Sequence, residues 1–172
     1  MSRVFMISDL HFGHVNLIKN LRGMNPDEHD QMIIENWNRV VNKRDLVYLL
    51  GDIAMEKVDP VIKNLPKLAG RKVIILGNHD KLGVVNTLKS MNIDVLGCTR
   101  YKGFILTHIP IHPIEVVRFR GNIHGHVHEN SYDDPRYYNV SCDVIGFTPK
   151  LFTEIEDEFA SRKLTYTELT ED

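Results

Sequence analysis

Cysteine is scarce in this chain, and its two cysteines, Cys98 and Cys142, do not form a CxxC pair. This excludes a disulfide framework and a thiolate zinc site, so we expect two reduced thiols in a cytoplasmic protein. Long apolar runs are also absent, because no stretch approaches the roughly 20 residues that a membrane span requires. The first apolar run breaks at Asp9, too early for the apolar region of a signal peptide. We therefore expect no contact with a membrane.

An excess of basic charge is lacking as well. The chain has 21 Lys and Arg residues against 23 Asp and Glu residues, which gives a net charge of -2 with neutral histidines. This balance does not indicate nucleic acid as a partner, although it says nothing against local basic patches. A length of 172 residues is enough to bury a core without disulfides. We see no repeat or linker, and we predict a single domain over residues 1–172.

Short runs of Val, Ile and Leu predict buried strands separated by amphipathic helices. The predicted strands cover residues 4–8, 46–50, 72–76, 104–107, 122–124 and 138–141. The predicted helices cover residues 28–42, 58–69, 83–91 and 148–160, and residues 163–169 suit an edge strand. Strands that alternate with helices predict an α/β architecture with parallel pairing early in the chain. The later strands have little helix between them, so we expect part of the sheet to be mixed or antiparallel.

Metal-ligating residue types follow five of the predicted strands. They are Asp9 and His11, Gly51-Asp52, the Gly-Asn-His-Asp sequence at 77–80, His108, and the Gly-His-Val-His sequence at 125–128. In open α/β sheets, ligands bind at the carboxyl ends of the strands. The glycines at 51, 77 and 125 suit sharp turns there. In an extended segment, the spacing of two within Asp9/His11 and within His126/His128 would aim both side chains the same way.

Each of these pieces has an ordinary structural explanation when it is taken alone. Gly51-Asp52 is typical of a turn, the sequence at 77–80 also suits a turn, and His108 suits a hydrogen-bonded core histidine. Five such pieces at five strand ends are not explained by coincidence. Of the nine histidines, eight lie in or beside these pieces, the exception being His29. The sequence therefore predicts a metal site.

The donor types restrict which metal this site would bind. The predicted ligands are Asp9, His11, Asp52, Asn78, His108, His126 and His128. Imidazole, carboxylate and amide oxygen without thiolate suit Mn, Fe, Co, Ni or Zn, and of these we favour manganese. Seven donors exceed what one ion takes from a protein, whereas two divalent ions that share a bridging carboxylate accommodate them.

In this order, the motifs Asp-x-His, Gly-Asp, Gly-Asn-His-Asp, His and Gly-His-x-His resemble those of the calcineurin-like metallophosphoesterase superfamily. They extend from residue 9 to residue 128 of the 172. The sequences at 8–14 and 138–143 further resemble a small bacterial and phage phosphoesterase branch. The resemblance implies a four-layer α/β/β/α sandwich, in which mixed sheets are flanked by helices and the site lies at one sheet edge.

The resemblance also implies a role for each ligand. One metal ion would be bound by Asp9, His11 and His128. The other would be bound by Asn78, His108 and His126, with Asp52 bridging the two ions.

A catalytic mechanism follows from the resemblance as a hypothesis, in which metal-bound hydroxide attacks phosphorus in line. His79 resembles the histidine of the superfamily that does not bind metal but contacts the phosphate and protonates the leaving oxygen. Asp80 would orient or charge that imidazole. His14, Arg118 and Arg120 are candidate substrate contacts. An ordinary role is an equally good interpretation of His14, and arginines such as these two more often form solvated surface.

The function that we expect is hydrolysis of a phosphodiester on a small or nucleotide-like substrate. A phosphomonoesterase is one alternative, and a scaffold protein that binds metal without turnover is another. A nuclease is a third, since a nucleic-acid end would fit, although the charge does not indicate it. The complete set of ligands argues against a scaffold. The natural substrate and the oligomeric state do not follow from the sequence.

Overall fold

The computed structural model describes residues 2–55 and 57–169. Its strands are β1 (Val4–Ile7), β2 (Leu46–Leu49), β3 (Arg71–Ile75), β4 (Asp94–Leu96), β5 (Thr99–Tyr101), β6 (Phe104–Leu106), β7 (Asn122–His124), β8 (Tyr137–Asn139) and β9 (Lys150–Leu151). Its helices are α1 (Val15–Asn20), α2 (Pro26–Val40), α3 (Val58–Asn64), a 3-10 turn (Leu65–Lys67), α4 (Leu82–Ser90), α5 (Pro113–Val116), α6 (Cys142–Ile145) and α7 (Phe152–Leu169). Each of the six predicted strands and the first three predicted helices is present, with bounds shifted by a few residues.

The strands form two mixed sheets. The first has the order β4-β3-β2-β1-β9, with β1 to β4 parallel and β9 antiparallel to β1. The second has the order β5-β6-β7-β8, with only β5 antiparallel to its neighbour. The expected change from parallel pairing to mixed pairing along the chain is confirmed. The two sheets are joined beyond β1 and β8, where the Ser8 amide donates to the Val140 carbonyl at 2.9 Å.

Helices cover the outer face of the first sheet. Helix α2 begins at Pro26 with the Asn25 side chain as its cap, which suits a helix start. Its buried face includes Ile33 and Trp37, which pack in one cluster with Phe5 and Ile7 of β1. The Trp37 indole Nε1 donates to the Ala69 carbonyl at 2.9 Å, so the polar atom of this buried ring is satisfied.

A second apolar cluster lies between the two sheets. Met6 of β1 points into it, opposite to Phe5 and Ile7, as the alternation along a strand requires. Phe104 and Leu106 of β6 enter the cluster from the second sheet, and α7 contributes further residues to it. The architecture is therefore the metallophosphoesterase-like sandwich of two mixed sheets flanked by helices.

The carboxyl-terminal part of the chain differs from the prediction. Residues 150–151 form β9, which pairs with β1, and the predicted helix begins only at Phe152. Residues 163–169 continue α7 and do not form an edge strand. No Gly or Pro interrupts the sequence from Phe152 to Leu169, so no local signal ends the helix. Among the described residues, no helix is both long enough and apolar enough to cross a membrane.

Candidate metal centre

Five loops meet where the two sheets join. They follow β1, β2, β3, β6 and β7, and they carry all seven of the side chains that the sequence predicts as metal ligands. Backbone hydrogen bonds connect the loops to one another. The Asp9 amide donates to the Gly51 carbonyl at 3.1 Å, and the Gly125 amide donates to the His108 carbonyl at 2.9 Å. The donors are thus presented from a connected backbone frame.

Six of the seven side chains form two groups of three. Ligand atoms of Asp9, His11 and His128 lie within 4.8 Å of one another, and so do those of Asp52, His108 and His126. The first two residues of each group are buried, whereas His126 and His128 are partly exposed. Each group therefore consists of two buried side chains and one histidine that solvent reaches.

Asp52 lies between the two groups. Its Oδ2 is 3.3 Å from His108 Nε2 in its own group and 3.7 Å from His11 Nε2 in the other. Asn78 Oδ1 is 2.9 Å from His108 Nε2, which adds a fourth donor to the second group. Asp52 therefore lies within reach of both groups, and its role as a bridging ligand stays a prediction.

Several buried polar atoms of the site have no protein partner. Asp9 Oδ1 and both ring nitrogens of His11 are buried and make no hydrogen bond among the described residues. Leaving such an atom unpaired costs about 1–3 kcal/mol, so proteins rarely do so without a reason. A cation bound between these atoms would remove the cost. The chemistry of this donor set therefore fits a divalent metal ion.

Two of the histidines are oriented by their second ring nitrogen. His108 Nδ1 donates to the Leu50 carbonyl at 2.7 Å, and His128 Nδ1 donates to Asp143 Oδ2 at 2.8 Å. A hydrogen bond at Nδ1 leaves Nε2 free to act as a metal ligand. Around His108 Nε2, the oxygens of Asp52 and Asn78 converge, an arrangement that requires positive charge at that point.

The electrostatics of the cluster favour cations. Burial alone would raise the pKa values of Asp9 and Asp52, but the neighbouring rings of His11 and His108 hold both pKa values below their usual range. Burial would lower the pKa of His108, yet the hydrogen bond and charge of Asp52 raise it. The carboxylates are thus ionised at neutral pH, and positive charge is stabilised beside them.

The backbone of the ligand loops is strained. Asp9, His11, Asp52, His126 and His128 all have φ between 50° and 73°, the left-handed region that residues other than glycine rarely adopt. Such strain concentrates at functional sites, where the surrounding structure holds it. The extended geometry expected for the two Asp/His and His/His pairs is therefore wrong. Left-handed residues, not alternation along a strand, direct these side chains into the site.

The three glycines of the motifs do different things. Gly51 has φ of 86°, so it makes the sharp turn that the sequence predicts. Gly77 and Gly125 do not have positive φ, and the turning role predicted for them is wrong. A Cβ at Gly77 would overlap the Asp52 carboxylate, and one at Gly125 would overlap Ser8. Both are glycines because another part of the site passes too close for a side chain.

His79 lies beside the ligands and is partly exposed. Its Nε2 is 4.0 Å from Asp52 Oδ2, and its ring is edge-on to that of His11 with centroids 5.8 Å apart. The side chain is 30% exposed, so a substrate can reach it. His79 therefore lies beside both groups without being a member of either, and its catalytic role stays a prediction.

Asp80 does not contact the His79 ring in the predicted way. Its Oδ2 accepts from the backbone amides of Gly77 and Asp52, both at 2.9 Å, and its Oδ1 accepts from the Ile53 amide at 3.1 Å. The catalytic role predicted for Asp80 stays a prediction, and the hydrogen bonds of its carboxylate support the backbone of the site. Because the carboxylate is buried and its oxygens are taken up by these amides, it ties together the two loops that carry Asp52 and Asn78.

The predicted substrate contacts differ in their placement. His14 caps α1 with its Nδ1 and has its ring 5.6 Å from that of His11, so it lies beside the site. Arg120 precedes the amino end of β7 and pairs with Glu156 at 2.6 Å, and its role as a substrate contact stays a prediction. Arg118 is exposed and pairs with Glu115 at 3.5 Å, and its role stays a prediction.

Sequence patterns did not reveal the residues that support the ligands. Ser141 Oγ donates to Asp9 Oδ2 at 2.8 Å, and the side-chain Nδ2 of Asn139 donates to the His128 carbonyl at 2.7 Å. Asp143 bonds to His128 and pairs with Arg22. The motif at 138–143 contains three of these residues, so it was the available signal, whereas nothing in the sequence around Arg22 marks it.

Comparison with known proteins identifies relatives of the chain. It is 37% identical over 161 residues to the uncharacterized protein MJ1445 of Methanocaldococcus jannaschii, covering 87% of this chain and 86% of that protein. It is 40% identical over 84 residues to the gene 66 protein of Mycobacterium phage D29, covering 47% of this chain and 42% of that protein. No protein-family model matches the chain.

Solved structures share the fold. The protein of unknown function AQ665 from Aquifex aeolicus has a TM-score of 0.73 and 26% identity, and the match covers 91% of this chain and 99% of that one. The nuclease MPE of Pseudomonas putida has a TM-score of 0.51 and 21% identity, with 73% and 62% covered.

The chain therefore has a metallophosphoesterase-like fold and two groups of residues that are candidate binding sites for divalent metal. Identity of 37% over most of both chains shows that this protein belongs to the same family as MJ1445 of M. jannaschii.

Proposed function

We propose that this protein is a metal-dependent phosphoester hydrolase with two manganese ions, and that it belongs to the small bacterial and phage phosphoesterase branch. Asp9, His11 and His128 would bind one ion, Asn78, His108 and His126 the other, and Asp52 would bridge them. The observation that carries the proposal is the pair of adjacent three-residue groups, with a carboxylate between them and unpaired buried donor atoms pointing inward.

The chemistry assigned to the site divides between ions and side chains. A bound pair of divalent ions lowers the pKa of water and neutralises charge on phosphoryl oxygens. The ionised Asp9 and Asp52 hold the charge of the ions in place. His79, which is partly exposed beside Asp52, protonates the leaving oxygen of the ester.

A phosphodiester is the substrate class that we favour, with a small or nucleotide-like leaving group. The partly exposed histidines 79, 126 and 128 leave one side of the site open to such a molecule. The nuclease MPE of P. putida, which has the same fold, is by its name an enzyme that cleaves nucleic acid. A nucleic-acid end is accordingly the second substrate to test.

The proposal is tested by hydrolysis of bis-p-nitrophenyl phosphate with protein that has been stripped of metal and then resupplied with Mn, Ni or Zn. We expect release of nitrophenol only with added metal, and none from the Asp52→Asn variant. Hydrolysis of p-nitrophenyl phosphate but not of the diester would replace the diesterase proposal with a phosphomonoesterase. Binding of two ions without turnover of either ester would favour the scaffold interpretation.

A further inference from the structure

A buried arginine lies behind the first ligand group. Arg22 follows α1, and its side chain is only 1% exposed. An arginine buried to this degree retains its charge, so its presence requires that the surrounding groups satisfy the guanidinium. Its hydrogen bonds to Asp9, Leu10 and Asp143 lead to the first ligand group, and a further one joins it to His29.

Arg22 forms a two-point ion pair with Asp143. Its Nε donates to Oδ1 at 2.8 Å and its Nη2 donates to Oδ2 at 2.9 Å. The same Asp143 Oδ2 accepts from His128 Nδ1 at 2.8 Å. His128 is therefore oriented by a carboxylate that is itself fixed in two places, and its Nε2 is left for the first ligand group.

The guanidinium also contacts the loop after β1. Its Nη2 donates to the Asp9 carbonyl at 2.8 Å, and its Nη1 donates to the Leu10 carbonyl at 3.2 Å. Asp9 and His11 are two of the residues with left-handed backbone, so these bonds hold a strained segment in place. A single side chain thus supports the backbone of Asp9 and, through Asp143, the ring of His128.

The network continues away from the site through the ring of His29. Arg22 Nη1 donates to His29 Nε2 at 2.7 Å, and His29 Nδ1 donates to Asp30 Oδ1 at 3.0 Å. Asn64 donates to the other oxygen of Asp30 at 2.9 Å. The guanidinium is therefore fixed from the side of α2 and α3 as well. This accounts for His29, the one histidine that lies outside the sequence motifs.

We infer that Arg22 and Asp143 are positioning residues for one of the two metal ions, the ion of Asp9, His11 and His128. The second ligand group has its own supports, the Leu50 carbonyl on His108 and the Asp80 carboxylate behind Asp52. Loss of the Arg22–Asp143 pair should therefore weaken the binding of one ion and leave the binding of the other unchanged. The inference rests on the proposed function only in requiring that two ions bind.

The test is the stoichiometry and affinity of Mn²⁺ binding, measured by calorimetry and by electron paramagnetic resonance. In Asp143→Asn, we expect the affinity of one ion to fall about 10- to 100-fold, as is usual when a group behind a metal ligand is removed. The other ion should bind as in the wild type. The spectrum should change from that of a coupled pair to that of an isolated ion. Arg22→Lys, which keeps the charge but not the two-point pair, should give the same selective loss in a milder form.

A matched control is the pair formed by Arg3 and Asp45, which join at 2.7 Å away from the metal centre. Asp45→Asn should leave two ions bound with wild-type affinity, even where it lowers stability. The inference is overturned if Asp143→Asn and Arg22→Lys bind both ions with wild-type affinity, or if the affinity for both ions falls equally. Wild-type protein that binds two ions but cleaves no ester would remove the proposed function alone. Wild-type protein that binds fewer than two would remove both.

Discussion

The two ends of β1 and β2 are built in opposite ways. At the amino ends, Asp45 accepts hydrogen bonds from the Arg3 amide at 2.9 Å, the Arg3 guanidinium at 2.7 Å and the Asn42 amide at 2.8 Å. At the carboxyl ends, Asp9 keeps an unpaired oxygen, and both Asp9 and Asp52 have left-handed backbone. The same two strands thus lead to a fully paired carboxylate at one end, and to strained backbone and an incompletely paired Asp9 carboxylate at the other.

The difference indicates that the amino ends of β1 and β2 stabilise the fold, whereas their carboxyl ends bind a ligand. A buried carboxylate whose hydrogen bonds are complete stabilises the fold, whereas one that lacks partners is costly until a ligand arrives. Changes at the carboxyl ends should therefore affect metal binding and turnover first. Changes at the amino ends should affect stability alone.

The largest effect is expected from His79→Ala. Removing a general acid typically lowers the rate by about 10²- to 10⁴-fold. Because His79 is not among the ligand groups, the variant should still bind two ions. Steady-state hydrolysis of bis-p-nitrophenyl phosphate and metal analysis of the same sample check both points. Full activity in this variant would show that the assigned acid role is wrong.

Gly77→Ala should damage the site from within. The added Cβ would overlap the Asp52 carboxylate, so either that side chain or the loop must move, at a cost of about 3 kcal/mol. We expect lower thermal stability together with weaker Mn²⁺ binding. Gly97→Ala is the matched control, because no heavy atom lies within 4 Å of its added Cβ. Equal behaviour of the two variants would contradict the close approach at Gly77.

Metal should stabilise the protein by binding to the unpaired polar atoms of Asp9 and His11, which follow the carboxyl end of β1. At a free Mn²⁺ concentration one hundred times the dissociation constant, each ion adds about 2.7 kcal/mol to the free energy of unfolding. Thermal unfolding with added Mn²⁺ and with a chelator measures this difference. The shift should be smaller in Asp52→Asn, which lacks the bridging carboxylate. A shift of the same size in that variant would mean that the ions bind elsewhere.

The sequence predicted which side chains come together at the candidate site, because each one follows a short apolar run that forms a strand by local pattern. It did not predict how they are aimed, since left-handed backbone at Asp9 and His128 depends on contacts with other loops. Gly77 is a similar case, because a side chain there would overlap the carboxylate of Asp52, which lies 25 positions earlier in the chain. Arg22 and Asp143 meet across 121 positions, and no local periodicity indicates such a pair. Strand β9 has only two residues, too few to show alternation.

The smallest effect is expected at the amino ends, from Asp45→Asn. Burial would raise the pKa of Asp45, but hydrogen bonds from Arg3 and Asn42 lower it to about 2, below its ordinary value of 3.8. A carboxyl whose pKa is lower in the folded state stabilises that state at pH values above both pKa values. This contribution is lost as the pH falls from about 4 through 2.

At pH 7 we expect Asp45→Asn to lower the free energy of unfolding by about 1–2 kcal/mol, since Arg3 is partly exposed. Urea unfolding of both proteins between pH 7 and pH 2 should show the difference shrinking toward acid, with Mn²⁺ stoichiometry at neutral pH unchanged. A difference that persists at pH 2 would mean that the Asp45 charge does not contribute, and loss of an ion would mean that the two ends of the strands are coupled.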